Sequence, residues 1–322
     1  MTRWVAITLF ILAALLPTVL TRDLLAAVYF TSLLMILAVN YDLLGGFLGY
    51  VNLGQGAFFG LAAYSVILIL NSGWLNALGA ADTPIAILLA ILLTGVVSYG
   101  FAFPLFRLSG AYFAMGTFAM VLLIRYLVLN FPDLTGGSYG VYINPRHYLS
   151  LHVAFYLSLM LLVLSLGLNL WVARSRLGLA VNAIRESELA AAAIGIDRSR
   201  VKRQTLLLSA LPSAAAGAVF ALQAGYIDID SAMGVDKTLL PVVMAMLGGS
   251  GLPAGPLVGG AIVRGIDIFL TNYLHVAFPA LAVYGIILMI IGLLMPDGVL
   301  TFFRKRRGRI TEPSGANPAP VH

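Results

Sequence analysis

Gly136, Ser138 and Gly140 have the spacing of a nucleophile elbow, in which a serine on a sharp strand-to-helix turn attacks a carbonyl beside a histidine. The four histidines, His147, His152, His275 and His322, are scattered and stand with no carboxylates at metal-ligand spacing. The chain has no cysteine, which removes thiolate nucleophiles, Fe–S clusters, thiolate zinc sites and disulfides together. Gly54-Gln55-Gly56 followed by Gly60 approaches a dinucleotide fingerprint, but no strand pattern precedes it. The three lysines, Lys202, Lys237 and Lys305, follow Val201, Asp236 and Arg304, so the Gly-Lys-Ser/Thr that cradles phosphates is missing. The sequence therefore predicts a chain that is not an enzyme, hydrolyses no ATP itself and needs no cofactor or metal of its own.

The elements that carry these residues explain why the elbow reads as a glycine-made turn. Hydrophobic residues make up 61% of the 322 and charged residues 10%, too few charges to cover a water-soluble particle. Mean hydropathy is +0.98, which places the chain in a bilayer. Apolar runs long enough for spans, given that a helix needs about 20 residues to cross, fall near 4–20, 24–42, 53–70, 84–106, 110–130, 151–173, 205–224, 239–249, 255–272 and 279–295. The expected fold is all-α, a polytopic membrane helical bundle of about 8–10 spans. The run at 239–249 is too short to cross alone. Its end, Leu247-Gly248-Gly249-Ser250-Gly251-Leu252-Pro253, reads as a broken or re-entrant element, which the membrane tolerates only inside protein or a wet cavity. The N-terminal run lacks a prompt small-x-small cleavage site and reads as a first span.

The net charge of +6 does not point to nucleic acid, because the basic clusters at 198–203 and 304–309 abut apolar runs. With the N-terminus in the cytoplasm and one crossing per segment, Arg3, Arg107, seven Lys/Arg in 174–203 and five in 304–309 lie inside. Only Arg22, Arg146 and Lys237 lie outside, so the bias predicts both termini cytoplasmic. The domain reading is a transmembrane unit over 1–303 with an outer loop at 131–150 and a cytoplasmic loop at 174–204. A basic, disordered tail follows over 304–322.

Charges within spans are functional candidates by default. Arg264 and Asp267, three apart on one helical face, are expected to neutralise each other, and Arg125 to snorkel outward. Asn40, Asn52, Gln55, Thr117, Asn169 and Gln223 are polar groups in or beside apolar runs, suited to helix–helix hydrogen bonds or to a ligand path. The pairs Gly45/Gly49, Gly56/Gly60 and Gly255/Gly259 suit close helix approach. In the cytoplasmic loop, Ser187 predicts an N-cap, Gly195 a helix stop and Asp197 a cap on the next span. The short helix between them has a small-residue face, Ala191 to Ala193, that suits a groove on another protein.

Glu188-Leu189-Ala190-Ala191 through Gly195 resembles the EAA-type coupling loop of ABC importer permeases. Arg176-Leu177-Gly178, Ala183-Ile184-Arg185-Glu186 and Ala191-Ala192 are similar to the LivM-type permeases of branched-chain amino acid importers. The likeness recurs at Asn52-Leu53-Gly54-Gln55-Gly56, Arg107-Leu108-Ser109-Gly110-Ala111-Tyr112, Thr135-Gly136-Gly137-Ser138 and Leu247-Gly248-Gly249-Ser250-Gly251, in order from about 25 to 298. The EAA pattern itself is slightly altered. The resemblance implies a bacterial inner-membrane permease paired with a LivH-like permease subunit, two cytoplasmic ABC ATPases that bind ATP and Mg, and a periplasmic substrate-binding protein. Arg185, Glu186, Glu188, Ala191, Ala192 and Gly195 would then couple to the ATPases. Asn52, Gln55, Gly56, Tyr112, Thr117 and Gly249 would line or gate the path. Thr135, Gly136, Gly137 and Ser138 would dock the binding protein or close the outer gate. A branched-chain amino acid is the expected cargo, with urea, a short amide or another amino acid as alternatives within the family. The rival from another class is a stand-alone channel or carrier in which 174–204 is merely a loop.

Overall fold

The computed structural model describes residues 21–273 and 298–300, with only the backbone over 267–273. The expected spans at 4–20 and 279–295, the tail at 304–322, the Asp267 side chain, His275 and His322 lie outside the described residues. The chain is a bundle of helices: α1 (Arg22–Asp42), α2 (Gln55–Asn71), α3 (Asp82–Leu105), α4 (Ala111–Asn130) and α5 (Leu151–Arg174). Two short helices follow, α6 (Arg176–Glu186) and α7 (Glu188–Ala193), then α8 (Arg198–Ala224), α9 (Ile229–Met233), α10 (Val235–Gly248) and α11 (Gly255–Tyr273). Among the described residues six helical stretches are long and apolar enough to cross a membrane, counting α9 and α10 as one interrupted stretch.

Burial identifies α8 as the central post. In its most apolar window 78% of residues are buried, against 28% for α5, whose outer side is left for lipid or a neighbouring chain. Ala214, Ala216, Gly217, Ala218 and Ala221 make α8 thin enough for close approach. A Cβ placed on Gly217 would lie 1.9 Å from the Phe59 carbonyl oxygen of α2, so only glycine permits this crossing. The helix begins at Arg198, seven residues before the apolar run, because Asp197 caps it by accepting from the Arg200 amide at 3.0 Å.

A buried polar ladder fixes the depth of α2 against α8. Gln55 donates to Ser209 at 2.7 Å and accepts from Ser213 at 2.8 Å, while Ser209 donates to the Asn40 carbonyl at 2.7 Å. Asn40 also reaches Ser165 at 3.3 Å, and Asn169 donates to the Val39 carbonyl at 2.7 Å. Such bonds contribute about 0.6 kcal/mol each inside membranes, enough to set register rather than to hold the bundle together. Ser209 and Ser213 sit near the middle of the 27-residue α8, so the seventeen-residue α2 starts at mid-depth.

The same level holds the break between α9 and α10. A Cβ on Gly56 would meet the Thr238 hydroxyl at 2.7 Å, and one on Gly60 would meet the Met233 side chain at 2.0 Å. Lys237, expected in an outer loop, is therefore the third residue of a half-helix that begins deep in the bundle. The charge count misplaced it because a Gly-Val-Asp-Lys stretch reads equally well as a loop. Arg125 does not simply snorkel. It pairs with Asp230 at 2.7 Å and donates to the Met233 carbonyl at 2.8 Å, closing the end of α9.

At its other end α10 turns back into α11 through the expected glycine-rich break. Cβ atoms on Gly255 and Gly259 would lie 2.2 and 1.8 Å from the carbonyl oxygens of Gly249 and Met244, so this hairpin packs backbone on backbone. Gly45 and Gly49 behave differently. They belong to a π-helical turn, Leu43–Leu48, that continues α1 and ends at Gly49 with φ +79°. At the far end of the bundle, β1 (Val141–Tyr142) pairs antiparallel with β2 (Tyr226–Ile227) and ties the 131–150 loop to the end of α8.

Candidate functional site

The loop after α5 folds as two capped helical segments. Ser175 accepts from the Gly178 amide at 3.2 Å and Ser187 from the Ala190 amide at 3.2 Å, which starts α6 and α7 in turn. Gly195, at φ +84°, stops α7, and the Ile196 amide reaches back to the Ala191 carbonyl at 3.0 Å. Val181 and Ile184 bury one side of α6, and Ala191 buries one side of α7. Helical spacing therefore turns Leu189 and Ala193 the opposite way, with the exposed Ala192 and Ile194 beside them. Leu189 is 79% exposed and Ile194 74%. The small-residue face thus holds Ala192 and Ala193 but not Ala191, and two large apolar residues flank it.

The inner side of this loop grips the end of α1 at two places. Arg185 donates to the Gly46 carbonyl at 2.6 Å, inside the π-turn. Glu188 accepts from Lys202 at 2.7 Å and from the Tyr50 hydroxyl, and Lys202 donates to Tyr50 at 2.6 Å. Tyr50 packs edge-on against Phe113 at 4.9 Å, and the Lys202 ammonium lies 4.6 Å from the Tyr50 ring centre. Burial works to raise the Glu188 carboxyl, but the hydrogen bonds from Lys202 and Tyr50 and the charges of Lys202 and Arg198 hold it below the usual glutamate range. Burial, then Glu188, pushes the Tyr50 hydroxyl upward, so it stays a donor at any physiological pH. Glu186 is exposed at the end of α6 and makes no hydrogen bond or ion pair among the described residues.

From the π-turn the connection continues. Asp42, fully buried, accepts from the Gly251 amide at 2.8 Å in the break between α10 and α11. A Cβ on Gly46 would lie 2.3 Å from the same amide nitrogen, and the Arg185 guanidinium stands 3.7 Å from the Cβ position of Gly251. The exposed loop, the end of α1 and the glycine-rich break thus form one contiguous unit. Tyr50, Lys202, Asp42, Gly46 and Gly251 escaped the sequence reading of the coupling set. Lys202 was hidden in a basic cluster, and the others lie far from the loop in sequence.

Most of the residues expected to line a path make hydrogen bonds or close helix contacts in this arrangement. Asn52 accepts from the Gly54 amide at 2.8 Å and Thr117 from the Leu53 amide at 2.9 Å, which holds the bend before α2. Gln55 belongs to the ladder, Gly56 gives room to Thr238, and Gly249 packs against Gly255. Tyr112 is 69% exposed on α4, apart from the other five.

The family description "branched-chain amino acid transport system / permease component" matches residues 24–294, most of the chain. The chain belongs to that permease family. It is 28% identical over 277 residues to the branched-chain amino acid permease protein LivM of Escherichia coli K12, covering 76% of this chain and 63% of LivM. It is 22% identical over 289 residues to BraD of Pseudomonas aeruginosa and 23% identical over 288 to LivH of E. coli K12, each match covering 82% of this chain and 90% of the relative. The chain thus spans less than two thirds of the LivM length it matches. No solved structure matches it significantly. Family and helices together make it a multi-pass membrane permease.

In this permease the turn before β1 is built by three of its four expected docking residues. Thr135 donates to the Phe131 carbonyl at 2.9 Å, Gly136 has φ +73°, and a Cβ there would lie 1.9 Å from the Gly140 carbonyl oxygen. Gly137 is buried against Pro132. Ser138 alone is exposed, next to Tyr139 at 88%, with Leu134 and Tyr142 completing an apolar rim.

The Glu188 tie makes a prediction. Glu188→Ala leaves the buried Lys202 without its carboxylate and should loosen α7, while Lys202→Met added to it should recover part of the loss. Protease sensitivity at 187–197 reads this out. Acidification acts the same way with a definite sign. Because the Glu188 carboxyl is held low when folded, the tie survives through the ordinary glutamate range near about 4.3 and is lost only below it.

Proposed function

We propose that this permease is one half of the membrane domain of an ATP-driven importer that moves branched-chain amino acids across the bacterial inner membrane. A LivH-like permease subunit is the other half, two cytoplasmic ABC ATPases bind and hydrolyse ATP, and a periplasmic binding protein delivers the cargo. The observation that carries the reading is the link from α6 through Arg185 to residue 46, from α7 through Glu188 to residue 50, and from Asp42 to Gly251.

The exposed row Leu189, Ala192, Ala193 and Ile194 is the surface offered to an ATPase groove. When the ATPases close, they displace α6 and α7. Arg185 and Glu188 pass that displacement to the π-turn and Tyr50, and the Asp42–Gly251 bond carries it to the glycine-rich break. A π-turn suits this position because its surplus residue lets α1 change winding locally without unfolding. The family match and the LivM, BraD and LivH likenesses support the cargo class. In this orientation α6 and α7 lie on the cytoplasmic side and the β1–β2 end on the periplasmic side, in keeping with the seven Lys/Arg of 174–203.

The test is reconstitution of the chain with its permease, ATPase and binding-protein partners in proteoliposomes. Leucine uptake should require ATP and the ATPases, and the chain purified alone should turn over no ATP above background. Leucine flux that persists without ATPase subunits would identify a stand-alone channel or carrier instead.

A further inference from the structure

One cavity in the bundle combines apolar walls with two charges at mid-depth. It measures about 210 Å³ and lies between α1, α2, α8 and the start of α10, with Leu34, Leu37, Phe59, Phe220, Asp236 and Lys237 in its lining. Asp236 and Lys237 pair with each other at 2.6 Å. Asp228 lies within electrostatic range of Lys237, but neither member of the pair makes a further hydrogen bond or close ion pair among the described residues, which leaves two ammonium hydrogens and one carboxylate oxygen unused. The pair stands where α9 breaks at Gly234 and α10 restarts, beside Gly56 and level with the middle of α8.

A bilayer core penalises such a pair, and two leucines would fill the same turn without that penalty. The charges make sense where something charged passes. An amino-acid zwitterion brings the matching pair, its carboxylate for Lys237 and the positive end of α10, its ammonium for Asp236. Its side chain then falls against Leu34, Leu37, Phe59 and Phe220. The volume admits it, since a dry cavity of about 150 Å³ already holds benzene.

We propose that this cavity is a mid-membrane station on the transport path, binding one aliphatic amino acid by its two charged groups and its side chain. The inference rests on the importer reading above and adds the place and chemistry of recognition. Discrimination follows from the two ends. A missing charge leaves Asp236 or Lys237 unanswered, whereas a change of one methylene at the apolar end shifts binding by only about 10–200-fold.

The cysteine-free sequence provides the test, because Leu34→Cys gives this chain a single thiol in the cavity. In the assembled complex with its partners, the rate of maleimide labelling on this chain's band is measured with millimolar leucine, leucinamide or 4-methylpentanoate. Leucine should slow labelling severalfold. Leucinamide, which lacks the carboxylate, and 4-methylpentanoate, which lacks the ammonium, should leave it unchanged. Lys237→Met added to Leu34→Cys should abolish protection by leucine, and the analogue comparison stands even where that double variant assembles poorly. Equal labelling with and without leucine, or equal protection by all three solutes, overturns the station. Leucine uptake by the unmodified complex separates the two readings: uptake without protection defeats the cavity alone, and absence of uptake defeats the importer reading with it.

Discussion

Tryptophan in place of Ala192 is expected to abolish the stimulation of ATPase activity by loaded binding protein, and leucine uptake with it. Ala192 is exposed on α7, in the stretch between Leu189 and Ile194. The indole would leave the fold intact and would stand where the proposed ATPase groove must close. Loss of fit at the centre of such a contact costs about 2 kcal/mol or more, which corresponds to about thirtyfold in affinity. Proline at Ala191 should act by a different route. It removes the amide that donates to the Ser187 carbonyl at 3.0 Å and breaks α7 itself. Both variants should assemble with the partner permease. Stimulated ATPase rates in proteoliposomes measure the effect, and full stimulation in both would falsify the assignment of α7 as the coupling element.

The largest effect on stability is expected at Gly217. Valine there drives a side chain into the Phe59 backbone, and neither helix can yield without disturbing the Gln55–Ser209–Ser213 ladder one turn away. Overpacking of this kind costs about 3 kcal/mol or more, because the obstacle is backbone rather than a mobile side chain. Glycine is not itself the point. At Gly167 a Cβ would meet nothing within 4 Å, and Gly167→Ala should be neutral or stabilising by up to about 1 kcal/mol. Thermal melting of the purified complex in detergent compares the two. Similar melting temperatures for Gly217→Val and the parent would refute the crossing.

The loop was the most legible part of the chain. Ser187, Gly195 and Asp197 act within a few residues of themselves, and local chemistry is what a sequence displays. Helix existence was equally plain, since a run of about 20 apolar residues has few alternatives. Depth was not legible. Lys237 looked like an outer-loop residue because a half-helix start inside the bundle and a loop outside it use the same residue types. The inward turn of Ala191 was hidden for a related reason: Ala190 to Ala193 are all small, and such a run has no apolar periodicity to show which side is covered. The π-turn at Leu43–Leu48 was masked by Gly45 and Gly49, which match a packing motif and serve a change of winding instead. Glu188 was recognised, but its partners Tyr50 and Lys202 are brought together only by the fold.

The brevity of α2 also bears on how the chain is made. Seventeen residues of helix reach about 25 Å, short of the roughly 30 Å of hydrocarbon. The bend before it is kept from lipid by Thr117 of α4, and its first turn by Ser209 and Ser213 of α8, which leave the ribosome some 150 residues later. The newborn α2 meets α3 first, which packs along it, and gains its polar partners only when α8 arrives. Faults at Gln55 and Ser209 would therefore leave the α2–α8 pairing unmade late in synthesis, and show as less assembled permease rather than as transporters that work poorly.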